Sequence, residues 1–116
     1  MIAPIPNLAM SNSLRMALSG WSKTLAREVG GNGITCNIVL PGRVATARID
    51  FLDQQKGKRE ECSVDTVRAE SSAAIPVGRY GEPAEYGAAV AFLASRQAAY
   101  ITGSVLRVDG GLIASV

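Results

Sequence analysis

No histidine occurs anywhere in the 116 residues. Ser–His–Asp and Cys–His devices and every His-ligated metal site are thereby excluded. Cysteine is almost as scarce: Cys36 and Cys62 are too few and too far apart for a disulfide framework or a zinc site, so no metal is expected. Two lone thiols suit a reducing compartment, and the expected location is the cytoplasm. An excess of charge of one sign is also missing. Twelve basic against ten acidic residues leave a net charge of +2, which gives no electrostatic case for a nucleic acid or a membrane surface. Long apolar runs are missing too. The longest, residues 88–94, falls far short of the ~20 residues that cross a bilayer. Residues 1–6 are apolar but lack the basic start and long apolar core of a signal peptide. A soluble protein is expected, with neither nucleic acid nor membrane as partner.

What remains is ordinary globular composition, 47% hydrophobic and 19% charged, which excludes a disordered chain. The length suits a single domain over residues 1–116, burying roughly two-thirds of its unfolded surface. Leu14, Leu18, Trp21, Leu25 and Val29 step by one helical face, so a long helix is expected over residues 8–30, with Ser22, Lys23, Arg27 and Glu28 on the opposite face. Asn7 is the expected N-cap, and Gly30-Gly31-Asn32-Gly33 the stop. Residues 34–40 are nearly all apolar or β-branched without clean alternation, the habit of a parallel strand buried on both faces. Pro41-Gly42 closes it. Two surface helices are expected over 47–74, the second starting near Val64 behind Ser63. A helix over 82–95 should bury Tyr86, Val90 and Leu93, and a strand is expected over 104–108. A buried strand needs covering helices and parallel neighbours, so the class is α/β. Two strands cannot hide both faces of a sheet, so self-association or a partner is expected to complete it.

Several motifs, in order along nearly the whole chain, carry a family resemblance. They are Lys23-Thr24-Leu25-Ala26-Arg27-Glu28, Gly33-Ile34-Thr35-Cys36-Asn37, Pro41-Gly42 with Thr46, Ile75-Pro76-Val77-Gly78-Arg79-Tyr80-Gly81-Glu82-Pro83, Phe92-Leu93-Ala94-Ser95, Tyr100-Ile101-Thr102-Gly103, and Val108-Asp109-Gly110-Gly111. Each is common alone; their order and spacing are not. The chain resembles the C-terminal half of a short-chain dehydrogenase/reductase, in the subgroup of acyl-carrier-protein 3-ketoacyl reductases. The resemblance implies the C-terminal part of a doubly wound Rossmann-type parallel sheet of about seven strands, two of them here with flanking helices. It implies NAD or NADP as cofactor and reduction of a ketone or oxidation of an alcohol. The Gly-rich turn that seats the cofactor pyrophosphate belongs to the family's first half. Gly30-Gly31-Asn32-Gly33 ends a helix instead of opening one after a strand, so it is no substitute. Cofactor is therefore not expected on this chain alone.

In the family a Tyr-x-x-x-Lys pair near the start of the long helix carries the proton chemistry. The family's spacing, counted back from Glu28, puts Ser11 at the tyrosine position and Arg15 at the lysine position. Spacing by four sets both on one helix face. A serine hydroxyl is a far weaker acid than a phenol and shorter, and a guanidinium does not deprotonate in proteins. Arg15 still offers a cation and a planar fork to ribose hydroxyls or phosphate, or a solvent and anion contact at the helix start. No base near Ser11 in the sequence would make it a nucleophile. The resemblance also implies that the loop of Pro41, Gly42, Val44 and Thr46 passes the nicotinamide. A backbone amide near Val44 would bond the carboxamide, and Thr46 would approach the diphosphate. Asn37 reads as a strand residue satisfying local backbone rather than a catalytic amide, and Cys36 and Cys62 as inert thiols. Two functions follow: a dehydrogenase/reductase polypeptide acting with an N-terminal half, inactive in isolation, or a non-catalytic module that dimerises through helix 8–30.

Overall fold

The computed structural model describes residues 8–114. Element order is α1 (Ala9–Val29), a short 3₁₀ turn (Gly30–Asn32), β1 (Ile38–Pro41), α2 (Ala47–Glu60), α3 (Val64–Ala73), α4 (Pro83–Leu93), a second 3₁₀ turn (Arg96–Ala98) and β2 (Val105–Val108). β1 and β2 are hydrogen-bonded neighbours in a two-stranded sheet. Ile38 N–H donates to Ser104 O and Gly42 N–H to Val108 O, both strands advancing together, so the pairing is parallel. The class is α/β. The chain divides into two compact units: one holds the described residues up to Leu40 with Ala88–Arg107, the other Pro41–Gly87 with Val108–Ala114.

In the first unit, Leu8 stands at the N-cap position of α1 and makes no side-chain cap; the expected cap Asn7 lies outside the described residues. The helix stops where expected. Gly33 adopts φ +74°, the left-handed conformation that glycine reaches without strain, and its N–H closes on Gly30 O at 3.0 Å. The packed face of α1 is not the large apolar one. Ser22 and Ala26 are buried, whereas Leu14, Leu18 and Trp21 stand 67%, 51% and 60% exposed. The reason is steric: the chain approaches α1 closely, with Ser22 Oγ 3.3 Å from Cys36 Sγ and Ala26 beneath Gly103, and only small side chains admit that spacing.

The strand expected over 34–40 is shorter and shifted, Ile38–Pro41, and only half-buried. Before it, regular pairing gives way to side-chain bonds. Cys36 N–H donates to Thr102 Oγ1 (3.0 Å) and Asn37 Nδ2 to Ile101 O (2.8 Å), while Asn37 Oδ1 accepts from Ser104 N–H (3.1 Å). Asn37 thus lies just before the strand and serves backbone 64 and 67 residues along the chain instead of local backbone, and Asn and Thr side chains compete with the ladder by this route. The helix expected to bury Tyr86, Val90 and Leu93 contains no buried residue, and Val90 is 43% exposed. A two-stranded sheet has too little surface to cover a helix and both its own faces.

The second unit contains the α2–α3 hairpin. Thr46 Oγ1 caps α2 by accepting from Ile49 N–H (3.4 Å), and Ser63 Oγ caps α3 by accepting from Thr66 N–H (3.1 Å). Asp50 in the first turn of α2 and Lys58 and Arg59 in its last complement the helix dipole. Val67 and, on α2, Asp53 are fully buried, and Gly57 is buried beside them in the hairpin. Exposed pairs such as Arg68–Asp50 (2.7 Å) add little, typically up to about 1 kcal/mol each.

Candidate functional site

The six residues singled out in the sequence fall into two groups, each lying within one unit. Ser11 and Arg15 sit one turn apart on α1, and Arg15 Nε donates to Ser11 Oγ at 3.3 Å. The pair is open to solvent on the guanidinium side. Ser11 therefore meets a cation and no base among the described side chains. Its oxygen accepts from Arg15, leaving its own O–H able to donate. Chemically, such a pair offers a cation and a hydroxyl donor to an oxygen-rich ligand.

Pro41, Gly42, Val44 and Thr46 form the turn from β1 into α2. Gly42 is required by space, not by conformation. A Cβ there would lie 2.6 Å from Asp109 Cα and 2.8 Å from Asp109 Cβ, so only a hydrogen lets the two segments pass. Val44 forms an isolated parallel bridge with Gly81. Gly81 N–H donates to Arg43 O (2.8 Å), and Ala45 N–H donates to Gly81 O (2.8 Å). In a trans peptide the C=O and the following N–H point in opposite directions. Because Arg43 O faces Gly81, the Val44 N–H faces away from it; because Ala45 N–H faces Gly81, so does the Val44 C=O face away. One donor and one acceptor are thus presented side by side. Thr46 supplies the α2 cap, and its hydroxyl proton stays available at the positive end of that helix. Val44 and Gly81 also line a half-open cleft of about 180 Å³ with Arg79, Glu85 and Asp109.

Across that cleft Arg79 donates to Glu85 from both terminal guanidinium nitrogens, at 2.9 and 2.7 Å, and Glu85 Oε2 accepts from Glu82 N–H at 2.7 Å. These bonds, the Arg79 fork foremost, hold the Glu85 carboxyl down at about 2, and the same fork raises Arg79. Both charges are thereby spoken for.

Sequence reasoning missed a second cluster in this unit. Asp53, 1% exposed, accepts from Arg43 Nη1 (2.7 Å) and from Tyr80 OH (2.8 Å). The available signal was periodicity: Ile49, Asp53 and Gly57 recur every four residues on the inward face of α2. It was masked by Phe51 and Leu52, which look like core residues yet are 57% and 45% exposed.

Residues 2–113 match the family model described as enoyl-(acyl carrier protein) reductase. The chain is 44% identical over 93 residues to the 3-oxoacyl-[acyl-carrier-protein] reductase FabG of Vibrio cholerae, covering 80% of this chain and 34% of that protein. It is 40% identical over 95 residues to the short-chain reductase protein NovJ of Streptomyces niveus, covering 82% and 35%. Among solved structures, a short chain dehydrogenase family protein from Francisella tularensis superposes with TM-score 0.91 at 27% identity, covering 98% of this chain and 47% of that one. YwfH, an NADPH dependent reductase, gives 0.90 at 31% identity, covering 97% and 43%. The chain spans about a third of the length of the curated relatives it matches and under half of the solved chains. On its motifs, its fold and these matches, the chain belongs to the short-chain dehydrogenase/reductase family and resembles 3-ketoacyl-(acyl-carrier-protein) reductases within it.

Proposed function

We propose that this chain is the nicotinamide-side portion of an NAD(P)-dependent ketone or alcohol oxidoreductase of the cytoplasm, and that it turns over no substrate in isolation. The orientation of the Val44 peptide groups carries this reading. A primary carboxamide such as that of nicotinamide offers one acceptor and two donors, the complement of a neighbouring N–H and C=O. Pro41 and Gly42 bring the backbone to that point, and Thr46 with the α2 N-terminus suits a diphosphate. NAD(P) would bring hydride chemistry; the residues of this chain would orient it. Ser11 and Arg15 would hold ribose or substrate oxygens, without the proton relay that a Tyr and Lys pair supplies. A phosphate cradle of backbone donors from an N-terminal half would complete the site.

The test is titration with NADH and NADPH, followed by nicotinamide fluorescence. One arm uses the chain alone; the other adds a separately produced N-terminal half of a 3-oxoacyl-[acyl-carrier-protein] reductase. Binding is expected only in the mixture. Tight binding by the chain alone refutes the need for a second half, and a stable complex without binding refutes the Val44 reading.

A second reading is a non-catalytic homodimerising module, favoured by one observation: Leu14, Leu18 and Trp21 share an exposed face of α1. A second copy of α1 would bury it with two-fold symmetry. Light scattering should then give a dimer that Trp21→Ser converts to monomer; a monomeric wild-type chain removes this reading.

A further inference from the structure

Asp53 is a carboxylate sunk to 1% exposure, and nothing in the proposed cofactor site uses it. A buried carboxylate is costly unless each oxygen is satisfied. Here each is: Oδ1 takes Arg43 Nη1 at 2.7 Å and Oδ2 takes the Tyr80 hydroxyl at 2.8 Å. Arg43 also lies over the Tyr80 ring, 5.7 Å from its centroid, with Nη1 3.4 Å from the hydroxyl. An ion pair of this kind is often no better for stability than packed apolar side chains, so what it specifies is position.

The three residues come from three segments of the same unit: the turn after β1, the inward face of α2, and the turn before α4. Their backbone neighbours are the ones that set the Val44 peptide groups. Arg43 supplies the carbonyl that bonds Gly81, and Tyr80 directly precedes Gly81. The side-chain cluster and the Val44–Gly81 bridge therefore tie the same two backbone stretches together, once through side chains and once through main chain.

We propose that Arg43, Asp53 and Tyr80 are positioning residues that hold the Arg43–Val44 and Val44–Ala45 peptide planes in the orientation that presents the Val44 N–H and C=O to the cofactor. The proposal rests on the reading of residues 41–46 given above. None of the three touches the ligand. They act by denying the loop a peptide flip, which would turn the Val44 N–H toward Gly81 and away from the carboxamide.

Amide hydrogen exchange, resolved by residue on the 116-residue chain, tests the device without cofactor. Asp53→Asn should speed exchange at Ala45 and Gly81 at least tenfold, with α1 amides unchanged. Tyr80→Phe, which keeps the ring over Arg43 and removes only the hydroxyl, with its bond to Asp53 and its longer one from Arg43, should do so less and guards against a variant that unfolds. Arg43→Lys, which keeps the charge opposite Asp53, should fall between Asp53→Asn and wild type. Unchanged exchange at Ala45 and Gly81 in Tyr80→Phe and Asp53→Asn overturns the device. In the two-part mixture, NADPH should bind at least tenfold more weakly to Asp53→Asn, with partial recovery in Arg43→Lys. Loosened amides with undiminished NADPH affinity overturn the positioning role. No NADPH binding by the wild-type mixture overturns the cofactor reading instead, and the exchange contrast then decides the device by itself.

Discussion

Replacing Gly42 by alanine tests the geometry of the β1–α2 turn most directly. Gly42 does not occupy the left-handed region, so alanine meets no backbone penalty there, and the whole effect must come from space. The added Cβ would stand 2.6 Å from Asp109 Cα, 0.8 Å inside the 3.4 Å at which ordinary contact begins. The obstacle is main chain, not a side-chain tip that can swing away. Relief therefore requires the turn and the Asp109 segment to part, lengthening the rung from Gly42 N–H to Val108 O, now 2.9 Å. Overpacking of this kind costs about 1–3 kcal/mol, and a backbone obstacle places Gly42→Ala toward the upper end. With a urea slope of roughly 2 kcal/mol/M for a chain of this size, the midpoint should fall by about 1 M. Gly20→Ala is the internal control. Gly20 lies inside α1 with nothing within 4 Å of a built Cβ, so the same change should stabilise the helix by about 0.5–1 kcal/mol. The assay is urea unfolding followed by circular dichroism, with slopes compared between variants. If Gly42→Ala leaves the midpoint where it was, or shifts it in the direction of Gly20→Ala, the close approach to Asp109 is wrong.

Two further expectations concern side chains that join separate segments. Asn37→Ala removes an acceptor and a donor that bond Ser104 N–H and Ile101 O, and should cost about 1–3 kcal/mol in the same unfolding assay, with faster exchange at the Ser104 amide; an unchanged Ser104 amide would contradict the assigned bond. Glu85, drawn down to about 2 by the Arg79 fork, stabilises the folded chain fully above its ordinary value near 4.3, and that contribution is lost as pH falls toward 2. Carboxyl-carbon NMR should find its midpoint near 2, rising toward 4 in Arg79→Gln; a wild-type midpoint already near 4 would show that the fork does not persist in solution.

Helix ends were legible in the sequence because their chemistry is local. Gly33 takes the left-handed conformation that Gly30-Gly31-Asn32-Gly33 announces, and Ser63 caps α3 where its spacing to Thr66 places it. Thr46 caps α2 by the same rule. Register and burial were less legible, since both depend on what arrives from far along the chain. Residues 34–37 carry strand-like side chains, but Asn37 and Thr102 take over their hydrogen bonding, and regular pairing starts only at Ile38. Phe51 and Leu52 have every composition signal of core residues, yet α2 turns Asp53 and Gly57 inward.

By itself the order of residues determined the alternation of helix and strand, the positions of caps and stops, and membership of a family whose motifs recur at fixed spacing. Each depends on bonds within a turn or two, or on a one-dimensional pattern. Only the tertiary structure decided which helix faces are packed, that Gly42 is needed for passage beside Asp109, and that Val44 points its N–H and C=O away from Gly81. Those properties arise where separate segments of the chain meet at van der Waals distance, as Val44 does with Gly81 and Gly42 with Asp109, and no local propensity encodes which atoms will then stand 3 Å apart.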